Sequence, residues 1–548
     1  MAFIEGTDRF QSQFLDFFAF DNLISDDNYV RVIDAFVDSL DLNSLGFITY
    51  SGNSPGQKPY RTDVLLKIHI YCFFNGIQSS RKQERECSRN IELIWLTGNL
   101  KPDYSTLANF CKKNSAAIKN VFKQFSNICR SLNLFDFKIF AFDGTKIKAH
   151  CSKKRAFTID SLDKALAHID DKINEYISKI DDDISAFDDA KKAEFKKKLD
   201  LIKSRKVQYS AIKEKMIKDN ISELCLTDPD SKVMKNHSNI EPCYNIQSVV
   251  DSKHKLIVDF DASNQANDVG LLKPMSDKLF SDYNLDDLIS KSPNHSITEL
   301  ADTGFYKADD LLAINNSPNV SALVPKPKTS NATGSSDFSK DRFIFDASKD
   351  IYICPLGKEL SFSRNSTETR NGVTSKYKIY SCSSCTSCPF LDKCTKSING
   401  RSIKRNLKED LLTQFEEKYK ADSSFYKLRK ALVEHPFGTI KRALGFTHVY
   451  IKGLDRVASW ASSVFLAYNL KRVINILGVD KLKVVLYLHF LSFYFLFYIF
   501  LFISYFFICF PSCLNLLFNN LVCVYSPKGF SYFVHHLFLL CFAFFYIL

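Results

Sequence analysis

The chain has 548 residues, 45% hydrophobic and 24% charged, a globular composition too long for one ordinary core, so two to four folded units are expected. Its net charge of +12 suits a polyanionic partner without specifying a fold. Met1 to Phe20 carries Glu5, Asp8 and Asp16 and no clean apolar stretch. It does not read as a secretory signal, so a cytoplasmic, reducing setting is expected, with the 16 cysteines as thiols or metal ligands rather than disulfides.

Residues 1–135 read as a helical region. An apolar helix over 64–74 lies between Pro59 and Gly76, followed by a polar helix over 79–89 with Arg81, Lys82, Arg85 and Arg89 on one face. Asp103 and Ser105 sit at the start of a further helix, read as running from Leu107 to Leu132. Basic, polar faces on short helices suit DNA; a solvated face on an ordinary helical domain is the alternative.

The first strand, 137–142, is mostly apolar, as in a buried sheet, and ends at Asp143-Gly144-Thr145. Residues 158–220 hold neither Gly nor Pro and repeat apolar residues every three or four positions, which predicts a helical hairpin inserted into the domain. Residues 244–250 and 255–260 read as a β-hairpin. A strand over 296–301 runs into Asp302-Thr303-Gly304, another covers 320–324, and residues 328–341 read as a loop. A helix over 407–433 leads to Glu434.

Asp143, Asp302 and Glu434 stand out. An Asp at the end of a strand faces the crevice where α/β sheets place their sites. Three converging carboxylates repel unless divalent cations neutralise them, and two hard Mg²⁺ ions about 3.5–4 Å apart suit phosphodiester chemistry. Each Asp near a Gly is also an ordinary turn pattern.

Several segments resemble, in order, the DDE transposases of bacterial insertion sequences, in particular the group numbered eleven eighty-two. They are Asn75-Gly-Ile-Gln-Ser-Ser-Arg-Lys82, Asn90-Ile-Glu-Leu-Ile-Trp-Leu-Thr-Gly98, Phe142-Asp-Gly-Thr-Lys-Ile-Lys148, Leu226-Thr-Asp-Pro-Asp230, Tyr244-Asn-Ile-Gln247, Asp251-Ser-Lys-His-Lys-Leu-Ile-Val258, Ala301-Asp-Thr-Gly-Phe-Tyr306 and Val433-Glu-His-Pro-Phe-Gly-Thr-Ile-Lys-Arg442. The resemblance covers about residues 10 to 478. It implies an α/β, RNase H-like mixed sheet as catalytic domain, with an N-terminal all-helical domain that reads the element's terminal inverted repeats. The domain division it suggests is 1–135 helical, 136–328 first part of the core, 329–405 a Cys-rich insertion, 406–478 the C-terminal helical part and 479–548 an apolar tail.

The implied function is Mg²⁺-dependent strand cleavage and strand transfer by a homodimer on element ends and target DNA, through two Mg²⁺ (or Mn²⁺) ions held by Asp143, Asp302 and Glu434. A nuclease that cuts without joining, or an inactive DNA-binding relic, are the rival readings. A Tyr-Arg-Glu-Lys signature known from the wider superfamily falls at or near Tyr426, Lys430, Glu434 and Lys441. Lys430 replaces its Arg, with Arg429 one place early, which puts a bidentate phosphate contact in doubt. Lys441 fits a catalytic phosphate contact, and Lys430 and Arg442 further DNA contacts. His435 reads as a structural residue more than a source of charge.

Cys354, Cys385, Cys388 and Cys394 form a candidate structural Zn²⁺ site, with Cys382 competing for one place; a reduced, metal-free loop is the alternative. From Val484 to Phe510 the chain is almost wholly apolar. Translation past a lost stop codon explains this tail better than a membrane span, although its length would cross a bilayer.

Overall fold

The computed structural model describes residues 18–48, 58–183, 189–236, 238–327, 333–370, 373–421 and 424–488, with Ile4 and 13–15. Six helices come first: α1 (Tyr29–Asp38), α2 (Thr62–Phe74), α3 (Ser80–Arg89), α4 (Ile91–Thr97), α5 (Tyr104–Lys113) and α6 (Ser115–Ser131). The expected single helix over 107–132 is broken at Asn114. Its side chain turns to backbone, accepting from Ile48 N at 3.0 Å and donating to Phe110 O at 2.9 Å, a local competition that favours helix ends.

A mixed sheet follows, built from β1 (Ile139–Lys148), β2 (Lys232–Asn236), β3 (Asn239–Asp251), β4 (Ile257–Ser263), β5 (Ile297–Leu300) and β6 (Val320–Leu323). The order is β6-β5-β1-β3-β2, with β4 also paired to β3; β5 is parallel to β1 and β6, and the remaining pairs are antiparallel. β1 does not stop at Asp143 as expected but runs on to Lys148. Residues 143–148 keep an antiparallel partner in β3, so the strand loses its parallel neighbour without losing its ladder.

Between β1 and β2 stands the helical hairpin, α7 (Ile159–Asp183) and α8 (Asp189–Lys218). It closes on a small cluster of Phe157, Leu162, Met216 and Leu224 at its base. Lys206–Asp170 (2.6 Å) and Lys213–Asp163 (2.5 Å) bridge the two helices. After α9 (Leu272–Tyr283) and the strands β5 and β6, residues 344–406 fold as a five-stranded antiparallel meander that the sequence reading took only as a Cys-rich insertion. Its own core is Phe343, Tyr352, Leu360, Tyr380 and Ile403. The expected helix over 407–433 is described in two stretches, α10 (Glu409–Ala421) and α11 (Ser424–Gly438), and the second continues past 433 through Pro436.

The last long helix, α12 (Leu454–Leu477), is buried on nearly every side between α2, α6 and β4. Its polar residues are satisfied internally: Ser462 Oγ donates to Ser459 O at 2.7 Å, and Asn469 clamps the backbone of Ile257 in both directions at 2.9 and 2.7 Å. Trp460 Nε1 donates to Gln78 Oε1 at 2.9 Å, and Phe73 stacks on Phe446. One apolar core therefore runs from the N-terminal helices through the sheet to α12.

That core does not stop at residue 478. Residues 479–488 are helical, and Leu482 and Leu486 are fully buried in it. The packed core therefore extends past the expected boundary at 478; the apolar tail from 489 onward lies outside the described residues. Among the described residues no helix is long and apolar enough to cross a membrane.

Candidate functional site

Register brings the first two acids together. Parallel pairing of β1 with β5 ends at Ala141↔Leu300. Asp143 and Asp302 each lie two residues beyond that last pair, so they stand level where the two strands part. Asp143 is held by the continuing β3 ladder opposite Ser248. Asp302 caps the short turn that follows β5, its Oδ1 accepting from Gly304 N at 2.8 Å.

A cation from α11 sits between them. Arg429 Nη2 is 3.1 Å from Asp143 Oδ1 and 3.7 Å from Asp302 Oδ2. Burial pushes the Asp143 carboxyl up to about 6; Arg429 opposes the shift, while Asp302 and Asp268 add to it. Lys441, on the turn Thr439–Ala443 after α11, is half-buried near Asp143; burial lowers its ammonium and the Asp143 charge counteracts that. Two acids thus converge on one guanidinium at the point where β1 and β5 part, with the half-buried Lys441 within reach of the Asp143 charge.

Glu434 lies elsewhere on the same helix. Leu432, Val433 and Pro436 form the buried face of α11, to which Arg429 belongs by the three- and four-residue spacing. Glu434 is five residues from Arg429, roughly 140° round the helix. Its side chain is 65% exposed and pairs with Lys430 at 3.7 Å. Among the described residues no three His, Cys, Asp or Glu side chains are close enough together to hold a metal ion. The Asp pair alone has suitable chemistry, since two carboxylates converge on one positive group.

Arg429 is the site residue the sequence reading passed over, by favouring Lys430 as the position of the signature's Arg. The apolar periodicity of 432, 433 and 436 was the available signal. His435 is held away from the acids: Tyr468 donates to Lys255 O at 2.8 Å, so His435 Nδ1, 2.9 Å from the Tyr468 oxygen, carries the proton it donates there. The motif at 226–230 also serves the scaffold. Asp228 accepts from Tyr244 Oη (2.7 Å) and Gly453 N (3.1 Å), and Asp230 from Leu454 N (2.9 Å), which ties down the start of α12.

The other candidates are separate features. On α3, Arg81, Lys82, Arg85 and Arg89 are exposed opposite buried Gln83 and Cys87; Arg81 lies over the Tyr104 ring, and Arg89 pairs with Glu86. Arg442 is exposed. Cys354, Cys382 and Cys394 pack on the core of the five-stranded sheet. Cys385 is buried against Gly400, where a Cβ would stand 2.6 Å from the Cys385 Cβ. Lys358 N donates to Cys354 Sγ at 3.3 Å. Burial raises the Cys394 thiol, and Cys354 and Cys388 raise it further while Arg401 opposes them. These thiols share one neighbourhood without closing into a four-sulfur shell.

Two family models match the chain: a transposase DDE domain over residues 353–474 and a transposase domain (DUF772) over 18–113. No curated protein matches it. A cryo-EM structure of piggyBac transposase synaptic complex with hairpin DNA aligns over 85% of this chain and 80% of that chain, at 7% identity and a TM-score of 0.27, a likeness too loose to weigh on fold or function. The DDE match takes in the last three strands of the five-stranded sheet, Arg429, Glu434 and Lys441, and the DUF772 match takes in α1 to α5. These two matched segments carry the likeness to transposases, and the later one carries the likeness to their DDE domain.

Proposed function

We propose that this chain is a transposase that cleaves DNA at the ends of its element and joins the freed ends to target DNA, at a site built on Asp143 and Asp302 in an RNase H-like sheet. The observation that carries the reading is the register: two carboxylates placed level at the point where parallel strands separate, converging on one guanidinium. That donor pair suits hard divalent ions, Mg²⁺ or Mn²⁺, which when bound polarise the scissile phosphate and its attacking oxygen. Glu434 is the third carboxylate of this reading; α11 would have to turn or shift for it to join the pair.

The chain's own residues supply the rest. Arg429 neutralises the Asp pair in the free protein and is placed to turn its fork to a DNA phosphate once released. Lys441, half-buried beside Asp143, presents a second positive charge to the same strand, with Lys430 and Arg442 farther out. The exposed cations of α3 bind the terminal inverted repeats through phosphates. Two copies would act together, one at each element end.

The test is an end-cleavage and strand-transfer assay with the element's own terminal sequence and a target plasmid. Asp143→Asn should lose both reactions and keep DNA binding. Retained cleavage by that variant would remove Asp143 from the site. Cleavage without joining by the wild type would leave a nuclease.

A further inference from the structure

A third carboxylate stands behind the acid pair. Asp268, in the loop between β4 and α9, occupies the space that a side chain at either of two glycines in the acid-bearing segments would take. A Cβ added at Gly144 would lie 2.8 Å from Asp268 Oδ1, and one at Gly304 3.3 Å from Asp268 Oδ2. Gly144 directly follows Asp143 and Gly304 is two residues after Asp302. Successive residues of a strand point to opposite faces, so Asp268 approaches β1 from the side away from the Asp143 carboxylate. It is therefore placed to support the pair and not to extend it.

The surroundings of Asp268 select an anion. Its Oδ1 accepts from Asn245 Nδ2 at 2.6 Å and Gln247 Nε2 at 2.7 Å, with Lys146 Nζ at 3.5 Å. Asn245 and Gln247 are fully buried on β3, opposite Lys146 and Gly144. Both turn their NH₂ groups to Asp268, and their oxygens, Asn245 Oδ1 and Gln247 Oε1, have no partner among the described residues. Two buried amides left unsatisfied at one end and converging at the other is an arrangement that an acceptor at Asp268 maintains.

We propose that Asp268 is a positioning residue of this site: a post, gripped by Asn245 and Gln247, against which the Gly144 backbone and the Gly304 turn are set. It fixes the separation of the Asp143 and Asp302 carboxylates and so their capacity to share a divalent ion. This inference rests on the reading of Asp143 and Asp302 as metal ligands.

The test uses the full chain without DNA and measures Mn²⁺ binding by calorimetry or by the loss of the free-ion paramagnetic resonance signal. Asp268→Asn keeps the volume, and the two amides can turn over to bond it. Its Mn²⁺ affinity should fall about 10–100-fold, the range for groups that orient a metal ligand, with the metal-free melting transition unchanged. Wild-type affinity in Asp268→Asn would overturn the inference while leaving the metal site standing, provided Asp143→Asn has lost binding. Wild-type affinity in Asp143→Asn would instead refute the metal-ligand reading, and this inference with it. Should Asp268→Asn fail to fold, Gln247→Met, which removes one grip on the carboxylate, decides the matter: weaker Mn²⁺ binding supports the post and unchanged binding overturns it.

Discussion

Replacing Arg429 with Gln removes the cation that holds the acid pair together. The guanidinium is 14% exposed and its main partner Asp143 21%, with 3.1 Å between them; Asp302, at 3.7 Å, is 43% exposed. At an effective dielectric near 20, unit charges about 4 Å apart attract by ~4 kcal/mol. Removing one partner of a fully buried pair costs about 3–5 kcal/mol, but the half-open Asp302 is screened by solvent and Asp143 can take up a proton, so we expect a loss of about 2 kcal/mol. The loss should depend on pH. Arg429 opposes the rise of the Asp143 carboxyl, which already stands at about 6. Without Arg429 it rises further, and a carboxyl raised in the folded state gives stability at low pH that is lost as pH climbs through the folded value. The variant should therefore be nearer to wild type at pH 6 than at pH 8. Metal-free thermal melts at both pH values would show this as a fall of a few degrees, larger at pH 8. Added Mn²⁺ should then raise the variant's transition more than the wild type's, because no guanidinium has to be displaced. A variant as stable as wild type at pH 8, or one indifferent to Mn²⁺, would refute the idea that Arg429 stands in for the metal.

Changing Arg81, Lys82, Arg85 and Arg89 together to Ala should flatten the salt dependence of binding to the element ends, by about 0.9 in log–log slope for each phosphate no longer neutralised; an unchanged slope places the DNA surface elsewhere. Elemental analysis of the purified protein should find about one zinc per chain, and Cys385→Ser with Cys388→Ser should remove it and lower the stability of the five-stranded sheet; a zinc-free, fully folded wild type would end the zinc assignment. Glu299 is fully buried on β5, bonded to Ser276 Oγ at 2.6 Å, and burial pushes its carboxyl up to about 7. Glu299→Gln should match wild-type stability near pH 4.5 and exceed it by about 2 kcal/mol above pH 7, measured by urea unfolding; equal stability at pH 8 would show that the carboxyl is not strained by burial.

Much of this molecule was legible in the chain because the signals were local. An apolar run bounded by Pro and Gly gave α2, an apolar repeat of three or four residues gave the helical hairpin, and short apolar runs gave strands β3 to β6, since period and punctuation depend on neighbouring residues alone. Order and spacing of motifs gave the transposase reading, which the two family matches support. Local rules erred where a residue's partner is distant. β1 was ended too early because its continuation is stabilised by β3, about a hundred residues on. The five-stranded sheet is not legible in the chain because its two longest strands, Glu359–Arg370 and Val373–Ser381, are largely polar and owe their ladder to each other.

Only the tertiary structure decided the composition of the site. That Asp143 and Asp302 stand level follows from a parallel register between strands whose separation in sequence exceeds 140 residues, and no spacing rule reports it. That Arg429 and not Glu434 faces them follows from which side of α11 lies on the sheet, and a helix can present any side until its packing fixes one. Asp268 carried no motif at all; its place depends on two glycines and two buried amides meeting from three segments. The sequence by itself determined which elements form and which chemistry they carry. Long-range packing determined which of those charges share one small volume, because electrostatic contact falls off over a few ångströms and chain distance says little about it.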